Sequence, residues 1–533
     1  MDSFDYIVVG AGSAGCVLAN RLTASGRHSV LLIEAGPPDR DPWIHIPIGY
    51  AKLFKKPRIN WLYETEPQAE LNNRRVFQPR GKTLGGTSSI NGLVYMRGQR
   101  EDFDHWRQLG NTGWGFEDVL PYFRKSEDQQ HGESEFHGKG GPIRVSDPTY
   151  THELCDAFIQ AAGQVGIPRN DDFNGATQEG AGYFQTTSRG RRRWSTAVGY
   201  LRPAMKRPNL KVITEALAAR VTFDGRKATG VEYTLGGQRH TATARKEVIL
   251  SGGTFNSPQL LQLSGIGPAD LLRGHGIPVV ADMPGVGDDL QDHFQVRALY
   301  RCTKPITIND QYNSLLGKLG IGLSYIVQGK GPMTLAAGYA AAFYRSDPRH
   351  ATPDTQIHFI LFSADKPGEG LHPWPGFTVS ICQLRPESRG WVRIKSPDPT
   401  VAPAIQPNYL STEFDRRTIV DGFKRMRAIM RAPAMAPYVA EEKLPGPATV
   451  TDDDVLRHAR ATGLTIFHPT STCRMGQDQR AVVDVRLKVH GLGNLRVVDG
   501  SVMPTVVSGN TNAPIIMIAE KAADMILADA GGA

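Results

Sequence analysis

Six residues near the start of the chain, Gly10-Ala11-Gly12-Ser13-Ala14-Gly15, have the spacing of a phosphate cradle. Gly10 allows a tight turn, Gly12 lets backbone N–H groups approach a pyrophosphate, and Gly15 lets a helix pack closely on a strand. Glu34, about twenty residues on, is placed to accept hydrogen bonds from a ribose. A second reactive group lies far away, in Phe467-His468-Pro469. An imidazole titrates near neutral pH, so His468 is a candidate general base. Taken alone, a histidine in a His-Pro loop reads more readily as structural.

The elements that must position these groups are legible around them. Residues 4–9 form an apolar, β-branched run read as a buried strand. Ala14, Val17, Leu18, Ala19 and Leu22 mark one face of a helix ending near Gly26, and residues 29–33 form a second strand that finishes on Glu34. Strand, glycine turn, helix, strand and acidic residue together indicate an adenine dinucleotide, without choosing between NAD and FAD. Residues 80–98 are dense in glycine and hydroxyls, as expected of backbone passing close to a ligand, and their apolar far end suggests a helix beginning near Ser89. Residues 209–213, 219–223 and 230–234 read as a meander, and 247–253 as a strand ending in small residues that leads into a helix at 254–267 with a glycine-rich exit.

The character changes from about 293 to 463. Alternation at 355–360 and 376–381 predicts a sheet with one solvated or cavity-facing side, with helices at 412–431 and 451–461. His358 alternates with apolar residues and could face that cavity, or be a satisfied core histidine. Trp374 and Phe377 could form an apolar pocket or belong to the core. Residues 494–500 return to the first style, a strand ending at Asp499, and a helix follows from Ile515 to about Ala528. The reading is an α/β chain, α+β overall. A discontinuous Rossmann-type FAD-binding domain (1–150, 206–292, 464–533) receives an inserted substrate-binding domain (151–205, 293–463) built on an antiparallel sheet.

Composition narrows the class. At 533 residues and 40% hydrophobic content the chain can bury more than one core. No apolar run is long enough to span a membrane. Asp2 and Asp5 stand where a secretory signal would carry basic residues, so a cytoplasmic location is expected. The five cysteines are scattered without a C-x-x-C pair, which argues for reduced thiols and against a metal site. A net charge of +8 is modest for this length, and its densest cluster is Arg189, Arg191, Arg192 and Arg193. No nucleic-acid module accompanies that cluster. It reads as a solvated loop, with attraction to an anionic membrane face as the lesser reading.

Four blocks carry a family resemblance: the fingerprint at 10–15, residues 81–98, residues 253–267, and residues 467–476. With them the chain resembles the glucose-methanol-choline (GMC) oxidoreductases from end to end, nearest to choline dehydrogenases and aliphatic alcohol dehydrogenases. The resemblance implies FAD-dependent oxidation of an alcohol, and the branch it resembles implies a primary one. His468 would be the base and Asn512 would hydrogen-bond the substrate oxygen. Beyond Gly10, Gly12, Ser13, Ala14, Gly15 and Glu34, it implies cofactor contacts at Ala35, Arg80, Gly81, Thr83 and Gly86. Asn91, Gly92, Leu93 and Val94 would pass beside the flavin, and Val221, Asp499, Gly500 and Pro514 complete the set. Some members attach FAD through a histidine where this chain has Ile90, so a non-covalent flavin is implied. A quinone or other non-oxygen acceptor, and peripheral attachment to the inner membrane face, follow from the branch. Open alternatives are an alcohol oxidase, a hydroxynitrile lyase-like enzyme, a non-catalytic flavin binder and an NAD-dependent dehydrogenase.

Overall fold

The computed structural model describes residues 2–366 and 368–531. Two seven-stranded sheets organise it. In the first, the strand Asp2–Val9 runs parallel to Val30–Ile33 on one side and to Gln238–Leu250 on the other. Leu210–Ile213 adds beyond Val30–Ile33, and Leu495–Val497 adds to the end of Gln238–Leu250. Ala216–Asp224 pairs antiparallel with Lys227–Leu235, which pairs antiparallel in turn with the first part of Gln238–Leu250, forming the meander. The parallel strands are apolar almost throughout because both sheet faces are covered. They end on Gly10, Glu34, Ser251 and, two residues after Val497, Asp499. The carboxyl edge of this sheet is where a doubly wound sheet holds its ligand.

The second sheet is antiparallel, in the order Val439–Leu444, Phe294–Cys302, Gly376–Gln383, Thr355–Ile360, Ala340–Tyr344, Gly180–Tyr183. Leu464–Thr465 pairs with the start of Phe294–Cys302. The helices Glu153–Gln164 and Glu413–Arg431 pack on one face, against Ile357, Phe359, Phe377, Val379 and Ile381. Because side chains alternate, Gln356, His358, Ile360 and Ser380 emerge on the other face, toward the first sheet. Register puts Arg297 opposite Ser380, and Ser380 opposite His358, so these three form one row across three strands.

Two sequence expectations differ from the fold. No helix begins at Ser89: a short 3-10 turn, Gly86–Ser89, ends there, and the chain then runs irregularly to Gln99. Asn91 Oδ1 accepts from the Leu93 N–H (3.1 Å), and Leu93 lies in the left-handed region at φ 65°. Leu93 and Val94 are buried against a cavity and Tyr95 and Met96 in the apolar clusters behind it, which removes any need for a helix. The arginine cluster is not a uniform solvated loop either. Ser188–Arg189 and Arg192–Arg193 form a hairpin in which Arg193 turns inward and is 2% exposed.

Candidate functional site

One cavity of about 720 Å³ lies between the sheets, running from Gly10 and Glu34 to His468. Its nucleotide end is made by backbone. A Cβ on Gly10, which sits at φ +100°, would lie 2.4 Å from the Ser251 carbonyl oxygen. Gly12 and Gly86 face each other so closely that a Cβ on Gly86 would lie 2.7 Å from the Gly12 Cα. Glu34 is buried, and its carboxyl accepts from Ala11 N–H (2.9 Å) and Gly36 N–H (2.8 Å). Burial pushes that carboxyl up to about 7, against the opposing pull of the two N–H groups and Lys82. Asp499 accepts from Gly253 N–H (2.8 Å) and Ser257 Oγ (2.5 Å), tying the late strand to the helix Gly253–Leu263. A side-chain-free cradle at the carboxyl edge with one acidic group at its end suits an adenine dinucleotide, so the residues present fit FAD.

At the far end the groups are side chains. His293 Nε2 lies 2.8 Å from the Leu384 carbonyl oxygen, which can only accept, so the proton of His293 is on Nε2. Burial holds His293 neutral, down at about 4, and its bare Nδ1 lies 3.0 Å from His468 Nδ1. His468 therefore donates from Nδ1 and presents the lone pair of Nε2. The Asn510 amide approaches that nitrogen at 3.1 Å, while its oxygen faces the Gln356 amide nitrogen at 3.4 Å. His468 itself lies well below the usual imidazole range, first through burial, then through His293, His358 and Arg80. It is a neutral imidazole at pH 7 whose Nε2 faces the cavity and accepts from the Asn510 amide.

The backbone around His468 is held out of its preferred geometry. Phe467 and Ser471 are both left-handed, at φ 72° and 77°. Phe467 donates to Thr465 Oγ1 (2.6 Å), its carbonyl accepts from Arg80 (2.8 Å), and the His468 N–H donates to Asp292 (2.9 Å). Such residues persist only where neighbours over-determine them.

Most of the sequence-named residues meet in this cavity. Gly10, Gly12, Ser13, Ala14, Glu34, Ala35, Arg80, Gly81 and Gly86 line it, as do Asn91, Gly92, Leu93, Val94, His358, His468, Asp499, Gly500 and Asn512. Gly15 acts one layer back, where a Cβ would meet the Gly10 carbonyl oxygen at 1.9 Å. Thr83 bonds the Pro37 carbonyl (2.8 Å), and Pro514 is buried in the first turns of the helix Asn512–Asp529. Val221 is not a lining residue: its N–H donates to Ser264 Oγ (2.8 Å), and Ala216, Leu217 and Ala218 of the same strand reach the cavity instead. Trp374 and Phe377 are not lining residues either. Trp374 stacks on His372, while Phe377 faces the helices and stacks between Tyr300 and Phe359.

Asn512 also differs from its expected place. Its side-chain oxygen accepts from Ser13 Oγ (2.7 Å), and the amide beside His468 belongs to Asn510, two residues earlier. The Asn-Thr-Asn repeat holds both candidates, and the helix start at Asn512 separates them. Sequence reasoning also missed His293, for which no spacing signal exists, and Arg193. Buried Arg193 donates to the Asn91 side chain (2.7 Å) and to the Ser88 (3.2 Å) and Ile44 (2.7 Å) carbonyls, bracing the loop that lines the cavity.

A dinucleotide cradle on a parallel sheet, roofed by an antiparallel sheet with a neutral histidine at its far end, defines an FAD-dependent oxidoreductase of alcohols. The chain belongs to the GMC oxidoreductase family, whose N-terminal model matches residues 4–295 and whose C-terminal model matches residues 386–519. It is 46% identical to an alcohol dehydrogenase (acceptor) of Pseudomonas putida, over 98% of this chain and 96% of that one. It is 45% identical to the mitochondrial choline dehydrogenase of Homo sapiens, over 98% of this chain and 90% of that one. Among solved structures, pyridoxine 4-oxidase from Mesorbium loti superposes with a TM-score of 0.89 at 31% identity, covering 98% of both chains.

Proposed function

We propose that the chain oxidises an uncharged alcohol to the aldehyde, with His468 Nε2 taking the hydroxyl proton and Asn510 donating its amide N–H to the same oxygen. The observation that carries this is the hydrogen-bond chain from Leu384 through His293, which leaves His468 Nε2 as a proton acceptor, held by the Asn510 amide until an alcohol hydroxyl enters between the two. FAD, when bound, supplies the acceptor for the hydride leaving the carbinol carbon. Ile90, packed among Ile44, Leu53 and Ile59, offers no nucleophile, which supports a non-covalent cofactor. The cofactor-binding region is taken as residues 1–150, 206–292 and 464–533 and the substrate-binding region as residues 151–205 and 293–463, except that Ala197, Tyr200 and Leu201 pack in the core of the first sheet.

The charge of the cavity supports an uncharged substrate over a cationic one such as choline. Arg297 and Arg80 are each lowered only to about 10 and stay cationic, and Arg297 donates to the Ala364 (2.9 Å) and Asp365 (3.0 Å) carbonyls. The wall toward the mouth includes Ile308, Ile321, Met333, Phe362 and Leu371, which suits an apolar tail. Electrons then pass to a quinone or another acceptor in preference to oxygen, at a membrane to which the protein attaches peripherally. No helix among the described residues is long and apolar enough to cross one. An anaerobic series of primary alcohols and choline, read as bleaching of the bound flavin, tests the proposal. Linear alcohols should bleach it faster than choline. Choline as the preferred reductant, or no bleaching by any alcohol, would overturn it. Reoxidation of the bleached enzyme by a soluble quinone and by air then separates a dehydrogenase from an oxidase, the reading favoured by the pyridoxine 4-oxidase likeness.

A further inference from the structure

The helix Leu315–Leu323, continued by a wider turn at Ser324–Gln328, turns its apolar side outward. Leu315, Leu316, Leu319, Leu323, Ile326 and Val327 are each 64–80% exposed. Their spacing of three and four residues gathers them on one stripe, the arrangement of a core-facing helix with no core to face. The opposite side meets the protein. Lys318, Ile321 and Gly322 line the mouth of the catalytic cavity together with Tyr312 and Met333, and Tyr325 packs against Arg191. Contiguous apolar surface of this kind marks an interaction site.

The surrounding charge says what kind. Residues 312–330 contain no acidic side chain, and Lys318 and Lys330 lie within them. The arginine hairpin docks beside the helix: Arg191 donates to the Tyr325 and Ile326 carbonyls, and Tyr325 OH donates to the Arg191 carbonyl (3.0 Å). Exposed Arg189 and Arg192 thus flank the stripe, and exposed Lys52 lines the same mouth. An apolar stripe fringed mainly by cations, with exposed Glu369 also on the cavity wall, matches an anionic bilayer surface, with the apolar side chains in the acyl boundary and the cations among the headgroups.

We propose that residues 315–328 and the hairpin at 188–193 form a lipid-docking surface that opens the cavity mouth onto an anionic membrane. An apolar alcohol and a lipid-soluble acceptor would then enter from the bilayer. This deepens the reading above by naming the face that attaches, and rests on it for the molecules delivered.

The test uses the FAD-loaded full chain with vesicles of phosphatidylethanolamine and phosphatidylglycerol, and with phosphatidylcholine alone. The protein should float with the anionic vesicles, less so at high salt. Leu316→Gln/Leu319→Gln/Leu323→Gln should lower the partition by at least about tenfold, and Arg189→Gln/Arg192→Gln should lower it on anionic vesicles only. Both variants should keep wild-type flavin reduction by a short dissolved alcohol, which reads the chemistry without lipid. Failure of docking and failure of the catalytic reading are therefore separable. No flotation, or equal flotation of the leucine variant, overturns the proposal. So does a concentration-dependent dimer in sedimentation equilibrium that the leucine variant abolishes, since a second copy would then cover the stripe.

Discussion

His468 is useful because of what its other nitrogen does. With Nδ1–H committed to His293, the lone pair of Nε2 is fixed in direction before any substrate arrives. Replacing His468 with Ala should slow flavin reduction by about two to four orders of magnitude while leaving FAD bound. Asn510→Ala should slow it by about one to two orders, and Asn512→Ala should instead weaken FAD retention, because Asn512 bonds Ser13 of the phosphate turn. Stopped-flow reduction together with flavin content after gel filtration distinguishes the three. Equal losses of rate from the two asparagines at full flavin content would contradict the assignment. Acidity adds a second measurement. The native values of His293 and His358, about 4 and about 3, lie below the unfolded imidazole value, so the unfolded chain binds more protons as pH falls. Their stability contribution is whole above about pH 6.5 and is lost as pH falls toward 4 and then 3. Tm should therefore drop on acidification through this window, and less steeply in His358→Gln. The acid limb of flavin reduction should likewise lie below the ordinary imidazole range, because burial holds His468 there.

At the scale of elements, the glycines do what side chains cannot. Gly86 is left-handed and abuts Gly12, so Gly86→Val should abolish FAD retention with little change in secondary structure, read by flavin absorbance and circular dichroism. The first strand, glycine turn and helix were legible in the sequence because local pattern and tertiary role agree there. Residues 90–98 were not, since a left-handed Leu93 and contacts with distant residues decide their path. Phe377 was within reach. In Gly376–Gln383 the large apolar residues Phe377, Val379 and Ile381 alternate with Thr378, Ser380 and Cys382, which already sorts the two faces. Every residue of that strand is buried, so burial by itself could not have done so. Asn510 and Asn512 could be separated only by knowing where the last helix begins.

At the scale of the molecule, the first and last helices close the cofactor sheet on one side. Arg21 and buried Glu520 pair bidentately, and Tyr200 OH donates to the same carboxylate (2.6 Å). Glu520→Ala would strand a guanidinium that is largely out of water, and should cost about 3 to 5 kcal/mol. Thermal unfolding of the flavin-loaded and flavin-free forms would read that loss, and a change under 1 kcal/mol would assign the pair a minor part. The second sheet depends less on the termini, since the strands from Phe294–Cys302 to Gly376–Gln383 pair among themselves.

The bond between Ser13 and Asn512 spans 499 positions of sequence. During synthesis the phosphate turn leaves the ribosome 499 residues before its partner helix, and well before the strand Leu495–Val497. At about 5–20 residues per second the turn waits tens of seconds with an unfinished sheet edge. The flavin site is incomplete until the strand Leu495–Val497 and the helix Asn512–Asp529 have emerged, so loading is expected only after that point. Chains stalled before Leu495 should carry no flavin fluorescence, whereas chains whose last residue has cleared the exit tunnel through an added C-terminal linker should acquire it. Expression yield would then follow the supply of free FAD when the helix Asn512–Asp529 emerges.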